Sequence, residues 1–71
     1  MAVMYLVVIY FRNGEKGYWM GHRSTNPPTV KNINLAWGAD TYDGAKEEIE
    51  QMAPVCPTLS FQIEKLFYHP A

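Results

Sequence analysis

Two histidines, one cysteine and seven carboxylates are what this chain offers to metal, nucleophilic or acid–base chemistry. His22 and His69 stand far apart, and neither has Cys, Asp or Glu at ligand spacing. A metal site needs three or four converging ligands, so none is expected. Cys56 lies between Pro54 and Pro57 with no histidine near it in sequence. A thiol becomes a nucleophile only beside a base or in an electropositive niche, so Cys56 reads as a small apolar filler. No serine sits in a nucleophile elbow, and no glycine cluster opens a helix as a phosphate loop would. Most of the acids fall on one helix, where solvated carboxylates are routine; general acid–base work needs a pocket that shifts their pKa values. The expected reading is non-enzymatic, with no cofactor and no metal.

Two groups of residues remain as candidates for binding. The first is an acidic helix face, Asp43, Glu47 and Glu50, with Asp40 and Glu48 as neighbours and Lys46 four residues before Glu50. Such a strip would dock on the basic groove of a nucleic-acid-handling protein, where complementary charge speeds association. The second is an aromatic edge of Tyr18, Trp19 and Trp37, residue types enriched at binding hot spots. With Arg12, Lys16 and Arg23 nearby, that edge could also stack single-stranded bases. The net charge of −1 argues against a dedicated nucleic-acid binder. The charge is nonetheless polarised. Residues 1–35 carry +3, from Arg12, Lys16, Arg23 and Lys31 against Glu15, and residues 36–71 carry −4. That asymmetry concerns partners rather than fold.

The elements that must position these groups begin with Val3 to Phe11, nine residues without a polar side chain. A half-exposed strand alternates, because successive side chains point to opposite faces. This run is apolar on both, so its sheet must be covered twice, by a folded-back segment, another subunit or a target. It is too short to span a bilayer and has neither the basic flank nor the cleavage site of a leader. Arg12 to Gly17 is a turn, with Asn13-Gly14 suited to positive φ. Tyr18 to Arg23 is the returning strand, and Asn26-Pro27-Pro28 marks a loop. Lys31 to Trp37 alternates weakly, as a short edge strand would. Thr41 to Ala53 is an amphipathic helix with Tyr42, Ala45, Ile49, Met52 and Ala53 inward, Thr41 or Asp40 as N-cap and Pro54 as stop. Leu59 to Tyr68 is the last strand. A right-handed crossover through the helix would lay it parallel beside the first and make the opening strand central.

The expectation is one α+β domain over residues 1–71, a three- or four-stranded, mostly antiparallel sheet with one helix on one face (β-β-(β)-α-β). A domain this small buries only about 60% of the surface its unfolded chain exposes. With no disulfide or zinc staple, it relies on a dense core or on self-association. A homodimer through the sheet face that the helix leaves bare would serve. The lone thiol fits a reducing compartment, hence the cytoplasm.

A hairpin carrying Tyr18-Trp19, followed by a helix opening Ala39-Asp40-Thr41-Tyr42-Asp43-Gly44-Ala45, resembles small uncharacterised proteins of phages and prophages over about two-thirds of the chain. Gly44 departs from the acidic residue such helices carry there, so the capping box is lost. The resemblance implies an accessory protein of a mobile element, a class that includes inhibitors of host defence or metabolic enzymes, anti-CRISPR proteins among them. It transfers no functional residue. The expected function is stoichiometric protein binding, as a phage-type inhibitor of a host protein. The alternatives are a nucleic-acid-associated regulator and a small structural subunit of a larger assembly.

Overall fold

The computed structural model describes residues 1–69 and shows an α+β fold, a five-stranded antiparallel sheet with a single α-helix. The apolar opening run is β1 (Ala2–Tyr10), and it is central. Asn13 and Gly14 turn the chain: the Gly14 amide donates to the Phe11 carbonyl at 3.1 Å, and Gly14 takes a φ of +89°. The return strand β2 (Lys16–Trp19) pairs Val8 with Tyr18 and Tyr10 with Lys16. It ends earlier than Arg23 because Gly21, at φ +97°, turns the chain into the proline loop. β3 (Thr29–Val30) then adds to the outside of β2.

Lys31 to Trp37 is not a strand. The Asn32 side chain accepts from the Asn34 amide at 3.0 Å, and Ile33–Leu35 close into a 3₁₀ turn. An asparagine that engages its own backbone offers the chain an alternative to a sheet ladder, and here the alternative wins. Pairing resumes only at β4 (Gly38–Ala39), which lies against Leu6 and Tyr5.

The helix α1 (Tyr42–Met52) has Thr41 as its N-cap, with Oγ1 accepting from the Gly44 amide at 3.0 Å. Gly44 supplies one half of a capping arrangement. A Cβ there would stand 3.1 Å from that same Thr41 oxygen, so the glycine keeps the cap uncrowded. Asp43 sits in the first turn, where a carboxylate suits the positive end of the helix dipole. β5 (Ser60–Tyr68) follows a short turn and pairs with β1 along its whole length, from Ala2 opposite Tyr68 to Tyr10 opposite Ser60. The pairing is antiparallel, which corrects the parallel arrangement expected from the sequence. The crossover exists, but it starts from β4 and passes over β1. β4 and β5 both run opposite to β1, on its two sides, so they form a split β-α-β unit around it.

Odd-numbered residues of β1 face the helix. Val7 and Ile9 pack with Trp19, Ala39, Ala45 and Met52, and Tyr5, Phe11, Ile49, Phe61 and Ile63 surround them. On the opposite face Leu6 is wholly buried and Val8 is 6% exposed. Tyr18 stands opposite Val8 on one side, and Gln62 and Glu64 stand opposite Val8 and Leu6 on the other. Towards the other end Met4, Ile33, Ala36 and Leu66 converge, and the Met4 thioether lies over Gly38, where a Cβ would come within 2.1 Å of its sulfur. The second cover is therefore the chain itself. Leu6 and Val8 need no external partner, and the expectation of a bare sheet face does not hold.

Candidate functional site

A helix whose apolar stripe is Ala45, Ile49 and Met52 must turn its other side to water. Asp43, Glu47 and Glu50 occupy that side at steps of four and three, one above the other, and all three are exposed. Asp40 extends the line past the N-cap and is also exposed. Tyr42, 53% exposed, borders it, with its ring edge-on to Tyr5 at 6.0 Å between centroids.

Glu48 does not belong to this strip. It accepts from the Arg23 guanidinium through both carboxylate oxygens, with Nη2 at 2.7 and 2.6 Å and Nε at 3.0 Å. That fork ties the loop after β2 to the helix, and it is the one ion pair among the described residues. Lys46 makes none with Glu50, so Asp43, Glu47 and Glu50 carry their charge uncompensated by a direct contact.

The aromatic edge does not form as a unit. Trp19 is 1% exposed and meets Trp37 in a tilted contact, with ring centroids 4.9 Å apart and planes at 58°. Its indole Nε1 donates to the His22 carbonyl at 2.8 Å. Both tryptophans belong to the helix side of the sheet, Trp19 inside the core and Trp37 packed against it. A surface contact or base stacking through Trp19 is excluded by burial. Tyr18 points to the other face, where its hydroxyl donates to the Glu64 carboxylate at 3.3 Å. Burial against the sheet, then the charge and hydrogen bond of Glu64 and the nearby Tyr10, raise the Tyr18 pKa above the ordinary tyrosine range.

From the sequence, Tyr18 or Trp19 and the Val30–Trp37 segment are expected over Met4, Leu6 and Val8, and Tyr18, Ile33 and Ala36 do lie there. The polar roof that Gln62 and Glu64 complete has no sequence signal. Tyr10 donates to Gln62 Oε1 at 3.1 Å, Lys16 lies 5.8 Å from the Tyr10 ring centre, and Lys31 donates to the Lys16 carbonyl. Val8, Lys16, Tyr18, Lys31 and Glu64 line a shallow hollow of about 220 Å³. The β1–β2, β2–β3 and β1–β5 registers bring these residues together, and no spacing along the chain announces them.

Cys56 is buried, and its Sγ donates to the Ser24 carbonyl at 3.1 Å, so it fills space and holds the proline loop. His22 and His69 are exposed. Among the described residues no three His, Cys, Asp or Glu side chains gather as a metal site would require, and no helix is long and apolar enough to cross a membrane. No family model, curated protein or solved structure matches this chain.

Proposed function

We propose that this protein is a non-enzymatic protein-binding module that presents the outer face of α1 to a basic partner. The observation that supports this reading is the line of Asp43, Glu47 and Glu50 on a helix fixed by the Thr41 cap and by the Arg23–Glu48 fork, exposed and without an ion-pairing cation. Opposed surface potentials raise the rate of encounter and select partners. Tyr42 beside the line supplies an amphipathic anchor of the kind found at hot spots. In its concrete form the module is a phage-type, anti-CRISPR-like inhibitor that occupies the nucleic-acid groove of a host protein in the host cytoplasm.

The test is capture of basic nucleic-acid-handling proteins from nuclease-treated host lysate by the immobilised chain, repeated with Glu47→Lys/Glu50→Lys. Capture by the parent that is lost in the variant and weakens with salt supports the reading. Equal capture by both discards the acidic face. Capture that disappears with nuclease treatment favours the nucleic-acid-associated alternative instead.

A further inference from the structure

We propose that two copies of this chain associate edge to edge through β5, continuing one sheet into the other. This inference is independent of the acidic face. A strand at the edge of a sheet presents unpaired N–H and C=O groups, and proteins blunt such edges with short strands, charged side chains, prolines, bulges or covering loops. β3 and β4 are two residues each, which is one of those devices. Against pairing β5 carries only the adjacent charges of Glu64 and Lys65, which the paired register must accommodate. The strand runs nine residues in unbroken register with β1, contains no proline, and among the described residues nothing pairs with its outer side.

The occupant is argued from self-complementarity. A two-fold axis normal to the sheet pairs β5 with its own copy antiparallel, keeps the two faces matched, and sets one residue opposite itself. Centring on Glu64 or Lys65 would put like charges directly opposite, which destabilises. Centring nearer either end shortens the pairing. Centring on Ile63 avoids both clashes and keeps seven of the nine strand residues, 60–66, paired. Phe61 then faces the second copy's Lys65, a cation that already lies 5.0 Å from the ring centre of Phe67 in its own strand. Leu59, one residue before the strand, comes opposite the second copy's Phe67, which is 56% exposed in the single chain. Gln62 faces the second copy's Glu64. The Gln62 carbonyl oxygen is taken by Tyr10, so its amide N–H groups are left to donate to that carboxylate. Each chain has one such edge, so the pairing closes at a dimer instead of growing into a fibre.

Sedimentation equilibrium on the whole chain tests this first, without a variant. The expected mass is twice 8.1 kDa, falling on dilution; 8.1 kDa at every concentration overturns the proposal. Gln62→Glu sets carboxylates opposite each other at two symmetry-related places and should weaken the dimer by roughly 3- to 30-fold. An unchanged dissociation constant rejects the register. A single-cysteine scan at positions 62, 63 and 64 in a Cys56→Ser background locates the axis. Directly opposed residues in such a ladder have Cα atoms about 4.5–5.5 Å apart, within disulfide reach. Oxidative cross-linking should peak at Ile63→Cys, and a peak at either neighbour refutes the Ile63 centre. Glu47→Lys/Glu50→Lys must leave the dimer mass unchanged, which separates failure here from failure of the helix-face reading.

Discussion

Trp19 carries the largest fully buried side chain, and its replacement by phenylalanine gives a quantitative check of the core. The substitution keeps an aromatic ring near Trp37 but removes the Nε1 donor to the His22 carbonyl. A lost intramolecular hydrogen bond costs about 1 kcal/mol, more if the acceptor is stranded away from water. The ring atoms lost from a site 1% exposed add about 1–2 kcal/mol in transfer and void terms. The expected cost of Trp19→Phe is therefore about 2–3 kcal/mol. A chain of 71 residues has roughly 4–10 kcal/mol in total, so the variant folds but with a much lower midpoint. Trp19→Ala, at about 3–5 kcal/mol, should remove roughly half of that stability. Urea titrations followed by far-ultraviolet circular dichroism avoid the loss of indole fluorescence. A cycle with Trp37→Phe should show a coupling of about 0.5–1.5 kcal/mol for the ring pair. His22→Ala should be within about 0.5 kcal/mol of the parent, because only the backbone of His22 takes part. A Trp19→Phe cost below about 0.5 kcal/mol, or strict additivity with Trp37→Phe, would refute the assigned packing.

Tyr18 links stability to alkaline pH. Its pKa is raised in the fold, so the folded chain holds the phenolic proton more tightly than the unfolded one. That contribution is complete below the unfolded value of about 10 and is lost as pH rises through the folded one. Urea midpoints measured from pH 8 upward should fall more steeply for the parent than for Tyr18→Phe, and parallel curves would contradict the Tyr18–Glu64 pairing. Gly17→Ala should loosen β3, because a Cβ there would stand 2.6 Å from Thr29 Oγ1 and 2.7 Å from Thr29 Cβ. A cost of about 1–3 kcal/mol is expected, relieved by adding Thr29→Gly, and a neutral Gly17→Ala would reject the β2–β3 contact. Arg23→Ala should cost at most about 1 kcal/mol, since the guanidinium is half exposed, and the loss should shrink in molar salt.

Where local pattern decides, the sequence was readable. The unbroken run of Val3–Phe11 marked a strand buried on both faces, Asn13-Gly14 marked its turn, and the inward residues of Thr41–Ala53 marked the helix to within a residue of Tyr42–Met52. Where two distant segments decide, it was not. The direction of β5 depends on whether the slot beside β1 is entered from β4 or from β2, and a two-residue strand such as Gly38–Ala39 leaves no periodicity to detect. The weak alternation of Lys31–Trp37 was outweighed by Asn32 bonding its own backbone. Arg23 and Glu48 are 25 residues apart, and Tyr18 and Glu64 are 46 apart, so neither pair has a sequence signature. Trp19 and Trp37 looked like a surface because aromatic residues serve both cores and hot spots. Only their contact with Met52, Ala45 and each other assigns them inward.

The covering of β1 from within redirects the search for partners. Tyr18, Gln62 and Glu64 place their stems over Leu6 and Val8 and their polar ends in solvent, as amphipathic side chains do when they roof an apolar strand. A macromolecule docking on that face would have to break those hydrogen bonds and strip water from Lys16, Lys31 and Glu64, for apolar area already removed from water. The outer side of α1 and the outer edge of β5 carry no such penalty: one is solvated charge, the other unpaired backbone. They also do not compete. A two-fold axis normal to the sheet keeps both helices on one side of the joined sheet, so the β5 dimer would present two acidic lines in the same direction. A basic groove long enough to meet both would then be bound with the avidity of two linked contacts rather than the affinity of one.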